Sequence, residues 1–294
     1  MRILKKLILG AIIAGSAFLQ GNAQKLTSHK GEVADTYNFW LYTPKHTESP
    51  NEDAKPIVVF LHGASLCGND LNKVRRYGTI DAIDKGRELD AFVVAPQNPG
   101  GSWQPDKVMK IVDWVSGKHA VDQNRIYVIG MSLGGYGTID MAASYPDRVA
   151  AAIAMCGGGT SKNLGALNDV PLWIIHGTSD NAVSIAQSDK VVSEMKKSNS
   201  KTPRLIYDRV PGWNHGKPAR LLYLQEVYDW LFNHTLQDDD RKVSPGFDLS
   251  NGLLQTAYKG LQRITNATKK TSKSKSRASI KSKVRSKRHK SRKR

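Results

Sequence analysis

Cysteine, long apolar runs and acid at the C-terminal end are what this chain has least of. Of 294 residues only Cys67 and Cys156 are cysteines, so at most one disulfide can form. Each follows an apolar strand-like run, which puts both at one edge of a parallel sheet. Two independent small core residues is the reading adopted, with pairing as the alternative in an oxidising compartment. The one long apolar run is residues 7–19. At 13 residues it is shorter than the ~20 a membrane span needs, and no other run comes closer. From residue 269 to the end there is no acid and no aromatic residue. Without aromatics to stack on bases, that segment excludes sequence-specific nucleic-acid binding of the usual kind.

The charge is unevenly placed. Lys and Arg number 44 against 26 Asp and Glu, a formal net charge of +18. Three of the cations (Arg2, Lys5, Lys6) lie in residues 1–23 and fourteen in residues 269–294, leaving +1 for everything between. The basicity belongs to the ends, and the middle is that of an ordinary near-neutral folded domain. Arg2, Lys5 and Lys6, the apolar run and the small residues of Gly21-Asn22-Ala23 read as a secretory signal peptide cut after Ala23. No cysteine follows the cut, against a lipid anchor. The expected organisation is residues 1–23 signal peptide, 24–245 a single folded domain, 246–268 a linker with a short amphipathic helix, and 269–294 a disordered Lys/Arg/Ser-rich tail. The tail implies electrostatic contact with anionic envelope lipid or acidic polysaccharide, or a solvated segment with no dedicated partner. The mature protein is expected to be periplasmic or extracellular, with no transmembrane segment.

Between the ends, apolar runs alternate with helical spacing. Residues 36–42 read as an early edge strand ended by Pro44. Residues 56–61 and 91–96 read as strands buried on both faces, and residues 125–131, 149–155, 171–176 and 204–210 as further strands. Val108, Ile111, Val112 and Val115 recur at helical period, residues 182–197 have a helical pattern, and residues 221–231 carry the apolar face of a closing helix. The fold class expected is α/β: a mostly parallel central sheet with helices on both faces. Ligands in such sheets bind beyond the carboxyl ends of the strands, so the loops after the strands are the ones to inspect.

Three of those loops carry a chemical constellation. Gly130-Met131-Ser132-Leu133-Gly134 is a G-x-S-x-G elbow with a strand before it and a helical segment after it. Ser132 sits in the tight turn, and the glycines let strand and helix cross closely. A later strand ends in His176-Gly177-Thr178-Ser179-Asp180, and the last is followed by Gly212-Trp213-Asn214-His215. Serine needs a base at neutral pH: His215 would take its proton, and Asp180 would orient the ring and stabilise the imidazolium. The backbone N–H of Leu133 and that of Ala64, in the His62-Gly63-Ala64 loop, are the expected donors to a developing oxyanion. Trp103 and Trp213 are candidate pocket walls. His62 and His176 read as loop braces. No metal and no cofactor is called for.

Leu61-His62-Gly63 with Gly68-Asn69-Asp70-Leu71, Pro96-Gln97, the elbow, Tyr145-Pro146-Asp147-Arg148, His176 to Asp180 and Trp213-Asn214-His215 together resemble the α/β-hydrolase superfamily. The nearest group is that of secreted esterases and predicted peptidases related to dienelactone hydrolases, feruloyl esterases and the prolyl oligopeptidase catalytic domain. The resemblance covers roughly residues 35–235. It implies Ser132 as nucleophile, Asp180 as acid and His215 as base in an exported serine hydrolase acting on carboxylic esters, polysaccharide-linked ones included. A serine peptidase is the alternative, although the short stretch ahead of Pro56 leaves no room for the large gating domain of such peptidases. A non-catalytic binding protein anchored by its tail is the third reading. Cys67 stands where relatives often carry a charged residue, which removes a polar substrate contact expected of that loop.

Overall fold

The computed structural model describes residues 25–45, 53–249 and 251–261. The segment read as a signal peptide and the Lys/Arg-rich residues 269–294 lie outside the described residues. One eight-stranded sheet runs through the molecule: β1 (Lys25–His29), β2 (Phe39–Thr43), β3 (Lys55–Leu61), β4 (Phe92–Pro96), β5 (Val121–Met131), β6 (Ala151–Met155), β7 (Leu172–Gly177) and β8 (Leu205–Val210). Their order across the sheet is β1-β2-β4-β3-β5-β6-β7-β8. β2 is antiparallel to both its neighbours, and the strands from β4 to β8 are mutually parallel. The expected architecture is borne out.

Strand alternation sorts the core into two layers. Val58 and Phe60 of β3 face one cluster, while Ile57, Val59 and Leu61 face the other. The first layer is closed by helices α1 (Thr79–Asp84), α5 (Gln225–Phe232) and α6 (Asn251–Thr256). The second is closed by α2 (Pro105–Ser116), α3 (Leu133–Ser144) and α4 (Ala186–Ser198). Because both faces are covered, the central strands are continuous apolar runs rather than alternating ones. Among the described residues no helix is long and apolar enough to cross a membrane.

Four expectations change. The strand read at residues 36–42 starts at Phe39 and is not an edge: β1 pairs outside it, from Lys25 against Thr43 to His29 against Phe39. The closing helix is two pieces, a 3₁₀ segment Pro218–Tyr223 and then α5, because Leu224 between them is extended at φ −85°, ψ 138°. The helix read from residue 182 begins at Ala186, its first residues being used elsewhere. The presumed linker is part of the folded body: the Phe247 and Trp173 rings meet edge-on with centroids 4.8 Å apart, and Leu254 and Ala257 are buried in the first layer. Cys67 and Cys156 are free thiols, the second fully buried.

Candidate active site

β5 ends at Met131, and α3 begins at Leu133, so the whole reversal from strand to helix falls on Ser132. Its backbone takes φ 59°, ψ −123°, a conformation that costs a non-glycine residue about 1–3 kcal/mol. The neighbouring packing holds it there. A Cβ on Gly134 would run into the Leu61 carbonyl, and one on Gly130 into Gly134 itself. The Ser132 N–H is fixed by Met155 O at 2.8 Å, and its carbonyl already accepts from Tyr136 N at 3.0 Å. The side chain is thereby lifted above the carboxyl edge of the sheet, half-buried.

His215 reaches that side chain from the loop after β8. Its Nε2 lies 3.0 Å from Ser132 Oγ and its Nδ1 2.7 Å from Asp180 Oδ2. A carboxylate only accepts, so Nδ1 carries a proton and Nε2 is free to take the one on Oγ. The other Asp180 oxygen, Oδ1, accepts the N–H groups of Ala182 and Val183, both at 2.9 Å. Those are the residues that the helical pattern had claimed for α4. Burial pushes the Asp180 carboxyl up, but the Val183 N–H, the His215 ring, the Ala182 N–H and the Cys156 thiol outweigh it and hold the group below the usual carboxylate range. The two loops are laced to each other: Thr178 N donates to Val210 O (3.0 Å), Ser179 N to Trp213 O (3.0 Å), and Gly212 N to Thr178 Oγ1 (3.0 Å).

Ser132 and His215 open into a cleft of about 420 Å³, lined also by Gly63, Ala64, Ser65, Tyr77, Met131, Ala182, Gly216 and Ala219. A shallower, more polar hollow adjoins it across His215, with Ser179, Asn181 and Asn214 on its walls. A larger hollow of about 690 Å³, between residues 159–165 and α4, contains none of these residues.

The Dienelactone hydrolase family model matches residues 101–216, a stretch holding the elbow, Asp180 and His215. Poly(3-hydroxyalkanoate) depolymerase C of Paucimonas lemoignei is 25% identical over 280 residues, covering 77% of this chain and 65% of that protein. Acetylxylan esterase A of Aspergillus awamori is 23% identical over 228 residues, covering 71% of this chain and 69% of that protein. The crystal structure of a thermostable esterase matches with a TM-score of 0.57 at 25% identity, over 72% of this chain and 63% of that one.

The fold is that of the α/β-hydrolases. The chain spans just under two thirds of the length of the first of these relatives.

Within this fold the remaining candidates fall where packing puts them. Leu133 is the first residue of α3, where an N–H has no carbonyl one turn behind it. Ala64 opens a 3₁₀ turn whose carbonyl is taken by Cys67 N at 3.1 Å. Both border the cleft's serine, Ala64 on its wall and Leu133 next along the chain. The tryptophans do not wall it. Trp103 is buried under the loop, its Nε1 donating to His62 O at 3.3 Å and its ring filling the space above Gly137. Trp213 is buried in the core with its backbone against Gly177. Both aromatic side chains support loops from beneath.

His62 is a brace. Its Nδ1–H donates to Gly63 O at 2.8 Å and its Nε2 accepts from Asn98 N at 3.1 Å, tying the loops after β3 and β4 together. Burial lowers its pKa to about 4, the neutral form those two bonds require. His176 does more than brace: its Nδ1 meets Ser188 Oγ at 2.8 Å, and its Nε2 lies 3.0 Å from Val183 O and 3.3 Å from Asp180 Oδ2. Cys156, His176 and Asp180 together offer ligand atoms within 4.8 Å of one another. They do not fit a metal: Asp180 is already saturated by N–H donors and the His215 ring, and burial pushes the Cys156 thiol far up, away from the thiolate a metal needs. Sequence reasoning missed Cys156 and Tyr77 at this site. Neither sits in a recognisable motif, and only the fold brings them to it.

Proposed function

We propose that this protein hydrolyses carboxylic esters through an acyl-enzyme intermediate, with Ser132 as nucleophile, His215 as base and Asp180 as acid. The observation that carries the reading is the unbroken hydrogen-bonded chain from Ser132 Oγ through the His215 ring to a carboxylate with depressed pKa. In acylation His215 takes the Oγ proton as Oγ attacks the ester carbon. The carbonyl oxygen becomes an anion facing the N–H groups of Leu133 and Ala64. His215 then returns the proton to the departing alcohol. Water repeats the sequence in the second half and frees the acid. Losing one such N–H donor typically costs about 3–4 kcal/mol of barrier.

A short acyl group suits the cleft beside Ser132, with Met131, Ala182 and Ala219 on its walls. A polyhydroxylated alcohol suits the hollow carrying Asn181 and Asn214. Likeness to an acetylxylan esterase and to a polyester depolymerase supports an ester attached to a polymer or sugar. Export by the N-terminal segment, and retention near anionic envelope or polysaccharide by the basic tail, complete the proposal. The test is turnover of p-nitrophenyl acetate, p-nitrophenyl octanoate and a peptide p-nitroanilide. The proposal expects acetate to be fastest and the anilide negligible. A faster anilide would make the protein a peptidase, and no turnover of any of the three would remove the hydrolase reading.

A further inference from the structure

Tyr77 lies between the 3₁₀ segment Leu71–Arg75 and α1, far in sequence from every residue discussed so far as reactive. It nevertheless lines the cleft that holds Ser132 and His215. Its hydroxyl accepts the Gly63 N–H at 3.1 Å. A Cβ placed on Gly63 would sit 2.8 Å from Tyr77 Oη and 3.4 Å from Ser132 Cβ, so the phenol and the serine face each other across one glycine. The phenol's own proton has no acceptor among the described residues. The backbone behind it is fixed: Gly78 has φ +88°, a Cβ there would enter the Phe60 ring, and its N–H donates to Tyr223 Oη at 3.1 Å.

We propose that the Tyr77 hydroxyl is a side-chain donor to the oxyanion formed on Ser132, alongside the N–H groups of Leu133 and Ala64. This deepens the esterase reading and rests on it. The Gly63 N–H occupies an acceptor position of the phenol oxygen and polarises the O–H bond, which makes its proton a stronger donor. It also turns that proton away from the loop. Being anchored through Gly78, the phenol needs no reorganisation when charge appears, the condition under which such a donor contributes most. Nothing is transferred to or from it: the proton stays on Tyr77 throughout, while His215 handles the one from Ser132.

The experiment is a crystal structure of the full-length wild type after reaction with a methylphosphonate p-nitrophenyl ester, together with the kinetics and crystal structure of Tyr77→Phe. Expected are a phosphonyl oxygen on Ser132 within hydrogen-bonding reach of Tyr77 Oη, and a kcat about 100-fold lower in Tyr77→Phe. KM should be nearly unchanged, and Gly63 and Ala64 should keep their wild-type positions. An adduct whose oxygen is out of reach of Oη overturns the proposal, as does wild-type kcat in the variant. A loss of rate with Gly63 and Ala64 displaced overturns it too, because Tyr77 would then act only through the loop. If Tyr77→Phe does not fold, the wild-type adduct decides alone. An adduct on Ser132 far from Tyr77 leaves the esterase reading standing. No adduct on Ser132 at all takes both down.

Discussion

The turn carrying Ser132 and the two loops carrying Asp180 and His215 are held in place by different physics. At the turn, placement is steric: Gly130, Gly134, Gly135 and Gly157 leave no room for a single carbon, and Ser132 keeps a strained backbone because everything around it is full. In the loops, placement is by hydrogen bonds: Ala182 and Val183 to Asp180, Thr178 and Ser179 across to the His215 loop. Repulsion at the turn is stiff and intolerant, whereas the loops are held by many weaker links. Damage to the first should therefore appear in folding, and damage to the second in chemistry or in local stability.

Asp180→Asn is the sharpest way to separate them. It keeps the volume but removes the charge and scrambles the His215 tautomer, so kcat should fall about 10⁴-fold, or ~5 kcal/mol of barrier. The unfolding midpoint should barely move. A variant that instead loses its fold while the surviving fraction stays active would reverse the assignment. Acid titration of stability probes the His62 brace at the foot of the turn. Its folded pKa is about 4 against 6.5 unfolded, so the unfolded chain binds the proton first as pH drops. Stability is then full above about pH 6.5 and is lost toward pH 4, by up to about 3 kcal/mol. His29 and His234 shift in the same direction and add to the slope. Urea melts across that range check it, and His62→Gln should flatten the dependence.

Gly134→Ala should cost about 3 kcal/mol of stability, since the new carbon meets a backbone carbonyl that cannot rotate away. Thermal unfolding measures it, and a change under ~0.5 kcal/mol would mean the turn is looser than its packing indicates. The smallest effect belongs to the lacing. Thr178→Val removes one acceptor for Gly212 N and should cost about 1 kcal/mol. Hydrogen exchange at Gly212 should rise with little change elsewhere.

The same contrast explains what was legible in the amino-acid sequence. A steric requirement writes itself as glycine at fixed spacing, so the Ser132 turn and its flanking strand and helix were readable outright. The central strands were readable because burial on both faces demands unbroken apolar runs such as residues 56–61. Asp180 and His215 were readable from chain order and from following a strand. Their supporting donors were not, because a backbone N–H leaves no trace in residue identity: residues 182–185 looked like the start of a helix. β1, Lys-Leu-Thr-Ser-His, is half-exposed and nearly free of apolar pattern. Trp103 and Trp213 looked like pocket walls since adjacency in sequence to a reactive loop does not say which side of it a ring packs on. Tyr77 gave no signal: it reaches the cleft through the placement of α1, a tertiary property.

The most direct measurement of the central claim is mass-spectrometric mapping of a fluorophosphonate label on the full-length protein. The account predicts one label, on Ser132, formed rapidly in the wild type, strongly slowed in His215→Ala and absent from Ser132→Ala. A label on any other serine, or labelling of Ser132 that is indifferent to His215, would contradict it.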